Sequence, residues 1–150
     1  MKYDQLKLDQ QLCHRLYIAS NGLTRAYRPL LDALNLTYPQ YVVMMALWEE
    51  DGITVQTLLQ KTAVNGGAMS LILKKMMDKK LLSVTPSDED KRKKLIHLLP
   101  TGIQLQEQAA EVPTKIQCSF ANIEKSDLHQ LINLLDKVCL DLDTTAEPES

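Results

Sequence analysis

Cys13 lies in the run Leu12-Cys13-His14-Arg15-Leu16-Tyr17, and a second cysteine, Cys118, follows 105 residues later. Three phenols, Tyr17, Tyr27 and Tyr38, follow the first thiol at offsets of 4, 14 and 25. A thiolate that attacks a peroxide becomes a sulfenic acid, the reversible first rung of cysteine oxidation, and a second thiol can close that species into a disulfide. Phenolic O–H groups can donate to a thiolate and hold it in place. These residue types therefore make Cys13 a candidate redox switch with Cys118 as a distant second thiol. A plainer reading uses the same residues: a free cysteine is often a small buried apolar group, and tyrosines often serve core or subunit packing. Spacing alone leaves both open.

The spacing does constrain how a thiol pocket could form. Tyr17 is one helical turn from Cys13 and shares its face. Tyr27, 14 residues on, points roughly the same way but lies some 20 Å further along a helix that rises about 1.5 Å per residue. It cannot reach its own Cys13 through a straight helix, whereas a two-fold partner could bring it near. Cys139 has no motif around it and reads as structural. The cysteines at 13, 118 and 139 form no Cys-x-x-Cys pair, and His97 and His129 have no metal-ligand spacing, so neither a metal nor a cofactor is expected.

These residues must be positioned by a chain of 150 residues, about one domain long, whose 45% hydrophobic content supports a true core. Only 5 Gly and 6 Pro punctuate it, which favours helices. The beginning, Met1-Lys2-Tyr3-Asp4-Gln5-Leu6-Lys7, lacks an apolar leader, and no apolar run approaches the roughly 18 residues that cross a bilayer. A reducing cytoplasm and no membrane association are expected. The net charge of −2 is unevenly placed. Residues 54–99 carry nine basic and four acidic side chains, whereas residues 100–150 carry three and nine. A basic middle in an acidic chain suits a surface that faces phosphates, although a solvated charged face would look similar.

Helical periodicity runs from Leu8 to Leu34, with Pro29 expected to kink or break it near Tyr27. Thr37-Tyr38-Pro39 opens a second helix, Thr54 caps a short third, and Asn65 caps a fourth through Met77. Leu81–Pro86 and Leu95–Leu99 read as strands around the charged tip Ser87–Lys94. A long helix starts at Pro100-Thr101-Gly102, with a second kink expected at Pro113, and a last one opens at Ser126-Asp127. The tail from Asp143 to Ser150 reads as frayed. The expected fold is mainly α with a small β-hairpin wing: a winged helix-turn-helix over residues 35–99, and terminal helices in 1–34 and 100–150 that bury their apolar faces in a two-fold dimer.

Asp88-Glu89-Asp90-Lys91-Arg92, then Leu95-Ile96-His97-Leu98 and Thr101-Gly102, resemble the wing signature of the MarR family of dimeric winged-helix regulators. Leu12-Cys13, Leu16-Tyr17, Thr24-Arg25-Ala26-Tyr27, Pro29-Leu30-Leu31 and Leu36-Thr37-Tyr38-Pro39-Gln40-Tyr41 are similar to its organic hydroperoxide resistance regulators (OhrR). Glu111-Val112-Pro113 and Cys118 resemble their two-cysteine branch. The resemblance implies a DNA-binding repressor and not an enzyme, with no peroxidase motif in view. It implies Cys13 as peroxide sensor, Tyr17, Tyr27 and Tyr38 as its pocket with Tyr27 and Tyr38 from the other subunit, and Cys118 as the resolving thiol of an intersubunit disulfide. A regulator that answers to a small aromatic ligand in the dimer pocket is the alternative.

The implied partner is double-stranded, pseudo-palindromic operator DNA. Lys74, Lys75, Lys91, Lys93 and Lys94 would neutralise phosphates, and Arg92 would enter the minor groove, oriented by Asp90. The recognition helix departs from the family's Asp-Ser-Gly-Thr-Leu-Thr pattern. It reads Asn65-Gly66-Gly67-Ala68-Met69-Ser70, which leaves Asn65 and Ser70 as the polar candidates at its start.

Overall fold

A computed structural model describes residues 2–145 and divides the chain into two compact units between Val112 and Pro113. Two short 3₁₀ turns, Asp4–Leu6 and Leu8–Gln10, lead into α1 (Leu12–Asp32). The amide of Gln11 donates to the carbonyls of Gln5 and Lys7, both at 2.9 Å, which ties this lead-in to the helix start. The helix expected from Leu8 thus begins later, and Cys13 falls in its first turn. Of the kink or break expected near Tyr27, the break does not occur. Pro29 lies in the last turn of α1, where its missing N–H removes one bond without ending the helix.

Thr37 opens α2 (Tyr38–Glu49) with a capping box: its hydroxyl accepts from the Gln40 N–H at 3.3 Å, and the Gln40 amide oxygen accepts from the Thr37 N–H at 3.1 Å. Tyr41, Val43, Met44, Ala46 and Leu47 of α2 are all buried. An apolar helix of this kind must be covered on several sides, and α1, α3 (Val55–Thr62), α4 (Gly66–Asp78) and α5 (Pro100–Ala109) all pack on it. Thr54 caps α3 by accepting from the Thr57 N–H at 3.1 Å, and Asn65 caps α4 by accepting from the Gly67 N–H at 2.9 Å. Ala63, at φ 55°, makes the turn between the two helices.

The wing is the antiparallel pair β2 (Leu82–Pro86) and β3 (Lys94–Leu98), in the register Leu82↔Leu98 through Pro86↔Lys94. A two-residue strand, β1 (Ile53–Thr54), adds to the other side of β3, giving the order β1-β3-β2. Asp51 anchors the far end of β3 by accepting from the Leu98 N–H at 2.8 Å. Helix, helix and hairpin on a three-stranded sheet make this a winged helix.

The long helix expected from Pro100 is interrupted at Ala110-Glu111, before Pro113 rather than at it. Pro113 instead sits in the first turn of α6 (Val112–Cys118), where no intrahelical N–H is required of it. In the second unit α7 (Lys125–Thr145) follows, opened by Asp127, whose carboxylate accepts from the Glu124 N–H at 3.1 Å. The tail expected to fray from Asp143 is helical to Thr145, and residues 146–150 lie outside the described ones. Among the described residues no helix is long and apolar enough to cross a membrane.

Candidate functional site

Cys13 is exposed at the second position of α1, and no side chain caps that helix start. The first-turn N–H groups of a helix lack intrahelical partners. Tyr17, one turn on, is also exposed, at 65%. Cys118 and Cys139 are exposed too, and all three thiols are free.

The other two sequence-predicted phenols come together at the opposite end of α1. The rings of Tyr27 and Tyr38 have centroids 5.2 Å apart. Tyr41, which the sequence placed in an apolar stretch and not in the pocket, completes the cluster at 6.0 Å from Tyr27 and 6.4 Å from Tyr38. Cys13 and Tyr27 belong to one uninterrupted helix, so about 20 Å of rise separates them.

Burial raises the Tyr27 and Tyr41 phenols above their ordinary value, and the neighbouring phenols add to it. Both are therefore neutral O–H donors at physiological pH. The contribution of the cluster to stability is fully present below the unfolded value of 10.0 and is lost as pH rises through the raised folded values. Urea titrations taken to alkaline pH are expected to show this loss, and Tyr27→Phe and Tyr41→Phe together are expected to flatten it. An unchanged alkaline slope in the double variant would contradict the assignment.

A second site faces outward from α3, α4 and the wing. A cleft of about 670 Å³ is bounded by Thr57 and Gln60 of α3, Ser70 and Met77 of α4, and Arg92, Lys93 and Lys94 of the wing. Lys74, Lys75 and Lys91 are exposed beside it on α4 and the wing tip. At that tip one oxygen of Asp90 accepts from the Arg92 backbone N–H at 3.1 Å and from its guanidinium Nε at 3.2 Å. An exposed pair of this kind adds little stability. Its effect is to aim the Arg92 side chain, which is 92% exposed. Asn65 spends its side-chain oxygen on capping α4, leaving the amide NH₂ free to donate, while the Ser70 hydroxyl makes a long 3.5 Å bond to the Gly66 carbonyl.

Residues 36–94 match the MarR family model. The organic hydroperoxide resistance transcriptional regulator of Bacillus subtilis is 38% identical over 134 residues, 89% of this chain and 90% of that one. The chain belongs to the MarR family. The HTH-type transcriptional regulator MgrA of Staphylococcus aureus is 31% identical over 96% of this chain and 98% of its own length. Among solved structures, reduced AbfR bound to DNA superposes with a TM-score of 0.82 at 25% identity, covering 98% of this chain and 100% of that one. AbfR of Staphylococcus epidermidis gives 0.77 at 26%, covering 96% and 99%.

This MarR-family chain is thus a DNA-binding transcriptional regulator, and dimerisation is typical of the family. Large apolar side chains stand exposed on α1 (Leu12, Leu16, Ile18, Leu23) and, in the other unit, on α7 (Leu131, Ile132, Leu134, Leu140). The α3 side of the cleft, with Thr57 and Gln60, escaped the sequence reading because neutral polar residues on a short helix carry no charge or periodicity signal.

Proposed function

We propose that this regulator is a repressor that releases its operator when an organic hydroperoxide oxidises Cys13. The exposure of Cys13 in the uncapped first turn of α1, in a chain 38% identical to an organic hydroperoxide resistance regulator, carries the reading. The Cys13 thiolate attacks the outer peroxide oxygen and the O–O bond breaks. Sulfur is oxidised to a sulfenic acid, and the alkoxide takes a proton and leaves as an alcohol. The thiol of Cys118 in the second subunit then attacks that sulfur, forming the S–S bond and releasing water. Tyr17 of the same subunit, with Tyr27 and Tyr38 of the other, supply the phenolic donors of the reduced pocket.

Residues 1–34 and 100–150 form the dimerisation region in this reading, and the exposed leucines of α1 and α7 are what a partner would cover. Residues 35–99 hold the operator, with Asn65 and Ser70 at the major groove and Arg92 in the minor groove. Lys74, Lys75, Lys91, Lys93 and Lys94 lie on phosphates. A two-fold dimer asks for a pseudo-palindromic site. The cytoplasm, where thiols are kept reduced, suits both the sensor and its DNA.

An alkyl hydroperoxide is expected to release wild-type protein from DNA and to give a band of twice the chain mass on a non-reducing gel. Cys118→Ser protein is expected to lose that band. A linked band that persists in Cys118→Ser would remove Cys118 from the mechanism. The aromatic-ligand reading has its own observation: a cleft of about 310 Å³ at the α1–α2 junction, lined by Thr24, Arg28 and Tyr38 among others. An arginine there could pair with a carboxylate. Release by an aromatic acid that is indifferent to Cys13→Ser would favour it.

A further inference from the structure

Lys79 connects two parts of the first unit that the redox chemistry leaves separate: the tyrosine-bearing turn of α2 and the end of the recognition helix α4. Its backbone closes α4, with the Lys79 N–H donating to the Lys75 carbonyl at 3.1 Å. Its side chain is half-buried, whereas Lys74, Lys75 and Lys80 are exposed. The ammonium donates to the Asn35 carbonyl at 2.6 Å and to the Gln40 amide oxygen at 2.9 Å. Asn35, at φ 54°, lies in the tight link between α1 and α2.

Gln40 is 2% exposed, the one buried polar side chain among the described residues. Its amide oxygen already accepts from the Thr37 N–H in the α2 capping box. One buried oxygen therefore fixes the start of α2 and holds the end of α4. Gln40 also lies between Tyr38 and Tyr41 in sequence, within the first turn of α2. A lysine present only to attract phosphate would gain by standing in solvent with its neighbours. Lys79 instead gives up hydration, and burial together with Lys75 lowers its proton affinity.

We propose that Lys79 is a positioning residue for DNA recognition. It sets the end of α4 against the Tyr38–Tyr41 turn, so that displacing the turn displaces the helix. The proposed function supplies the trigger for that displacement, and the mechanical link itself can be tested without peroxide.

The test is a double-mutant cycle on reduced full-length protein. Dissociation constants are measured by fluorescence anisotropy for a duplex selected by the wild type from random sequence. Lys79→Met and Tyr38→Ala are each expected to weaken binding about tenfold, and the double variant no further than the weaker single, as coupled neighbours do. Lys79→Arg is expected to recover most of the affinity. Lys74→Met, a lost phosphate contact, is expected to multiply with Tyr38→Ala. Effects of Lys79→Met and Tyr38→Ala that multiply, or wild-type affinity in Lys79→Met, would overturn the proposal. Should Lys79→Met fail to fold, Gln40→Met takes its place in the cycle with the same expectations. A wild type that ignores hydroperoxide while the cycle is non-additive would count against the redox reading alone.

Discussion

Cys13→Ser protein is expected to keep its DNA at hydroperoxide concentrations that weaken the wild type by about a hundredfold, toward the upper end of the usual coupling between sites. Serine nearly matches cysteine in size and can accept the same phenolic hydrogen bonds, so the reduced pocket and its operator affinity should persist. Its hydroxyl does not ionise at neutral pH and does not attack peroxide, so the chemical input disappears. The position of the residue sharpens the expectation. Cys13 is exposed in the first turn of α1, so its sulfur is open to a peroxide. Anisotropy titrations of both proteins, with and without an alkyl hydroperoxide, measure the ratio directly. Peroxide-driven release of the Ser variant would sink the sensor assignment. A loss of reduced-state affinity with no change in that ratio would make Cys13 a packing residue.

Local chemistry was legible in the sequence wherever one residue decides the outcome. Thr54 and Asn65 cap the helices they were expected to cap, and Thr37 caps the helix it was expected only to open, because a short oxygen-bearing side chain ahead of an apolar run satisfies N–H groups that would otherwise be orphaned. Two short strand-like stretches around a charged tip revealed the hairpin, and Asp90, two residues before Arg92, does meet it. Features set by distant chain segments were not legible. The two-residue β1 exists because β3 offers it an edge, and two residues carry no period. The start of α1 moved to Leu12 for a local reason that carries no period: the Gln11 amide bonds back to the carbonyls of Gln5 and Lys7. Pro29 does not break α1, since a proline's cost depends on its distance from the helix end. In the candidate site, Tyr27 and Tyr38 were singled out by residue type and given a shared role by resemblance, and their rings do meet. Tyr41 was lost among apolar neighbours, and the bond from Lys79 to Gln40 spans 39 residues with no local mark.

Gly102→Ala is expected to be the most damaging single methyl in the fold, and Gly66→Ala nearly harmless. Gly102 is the third residue of α5, where alanine by itself would gain about 1 kcal/mol in helix propensity. A Cβ there, however, would collide with the Leu81 carbonyl oxygen and crowd Leu98 Cδ2 at 3.3 Å. Neither Leu81 nor Gly102 is free to yield. The Leu81 carbonyl accepts from the Leu99 N–H at 2.9 Å, and the Gly102 carbonyl accepts from Trp48 Nε1 at 2.9 Å. Overpacking costs typically 1–3 kcal/mol and more when backbone must move, so a net loss of about 2–4 kcal/mol is expected. For a chain of this size that corresponds to a fall in Tm of about 10 °C. At Gly66 the nearest atom to an added Cβ is Leu59 Cδ1 at 3.9 Å, an ordinary contact, and the change there should stay within about 0.5 kcal/mol. Thermal unfolding of the two variants separates the effects, and equal Tm values would refute the packing argument. The operator affinity of Gly102→Ala should fall as well. Leu81 leads into β2, and Leu98 and Leu99 join β3 to α5, so a shift at this junction moves the base of the hairpin that carries Arg92.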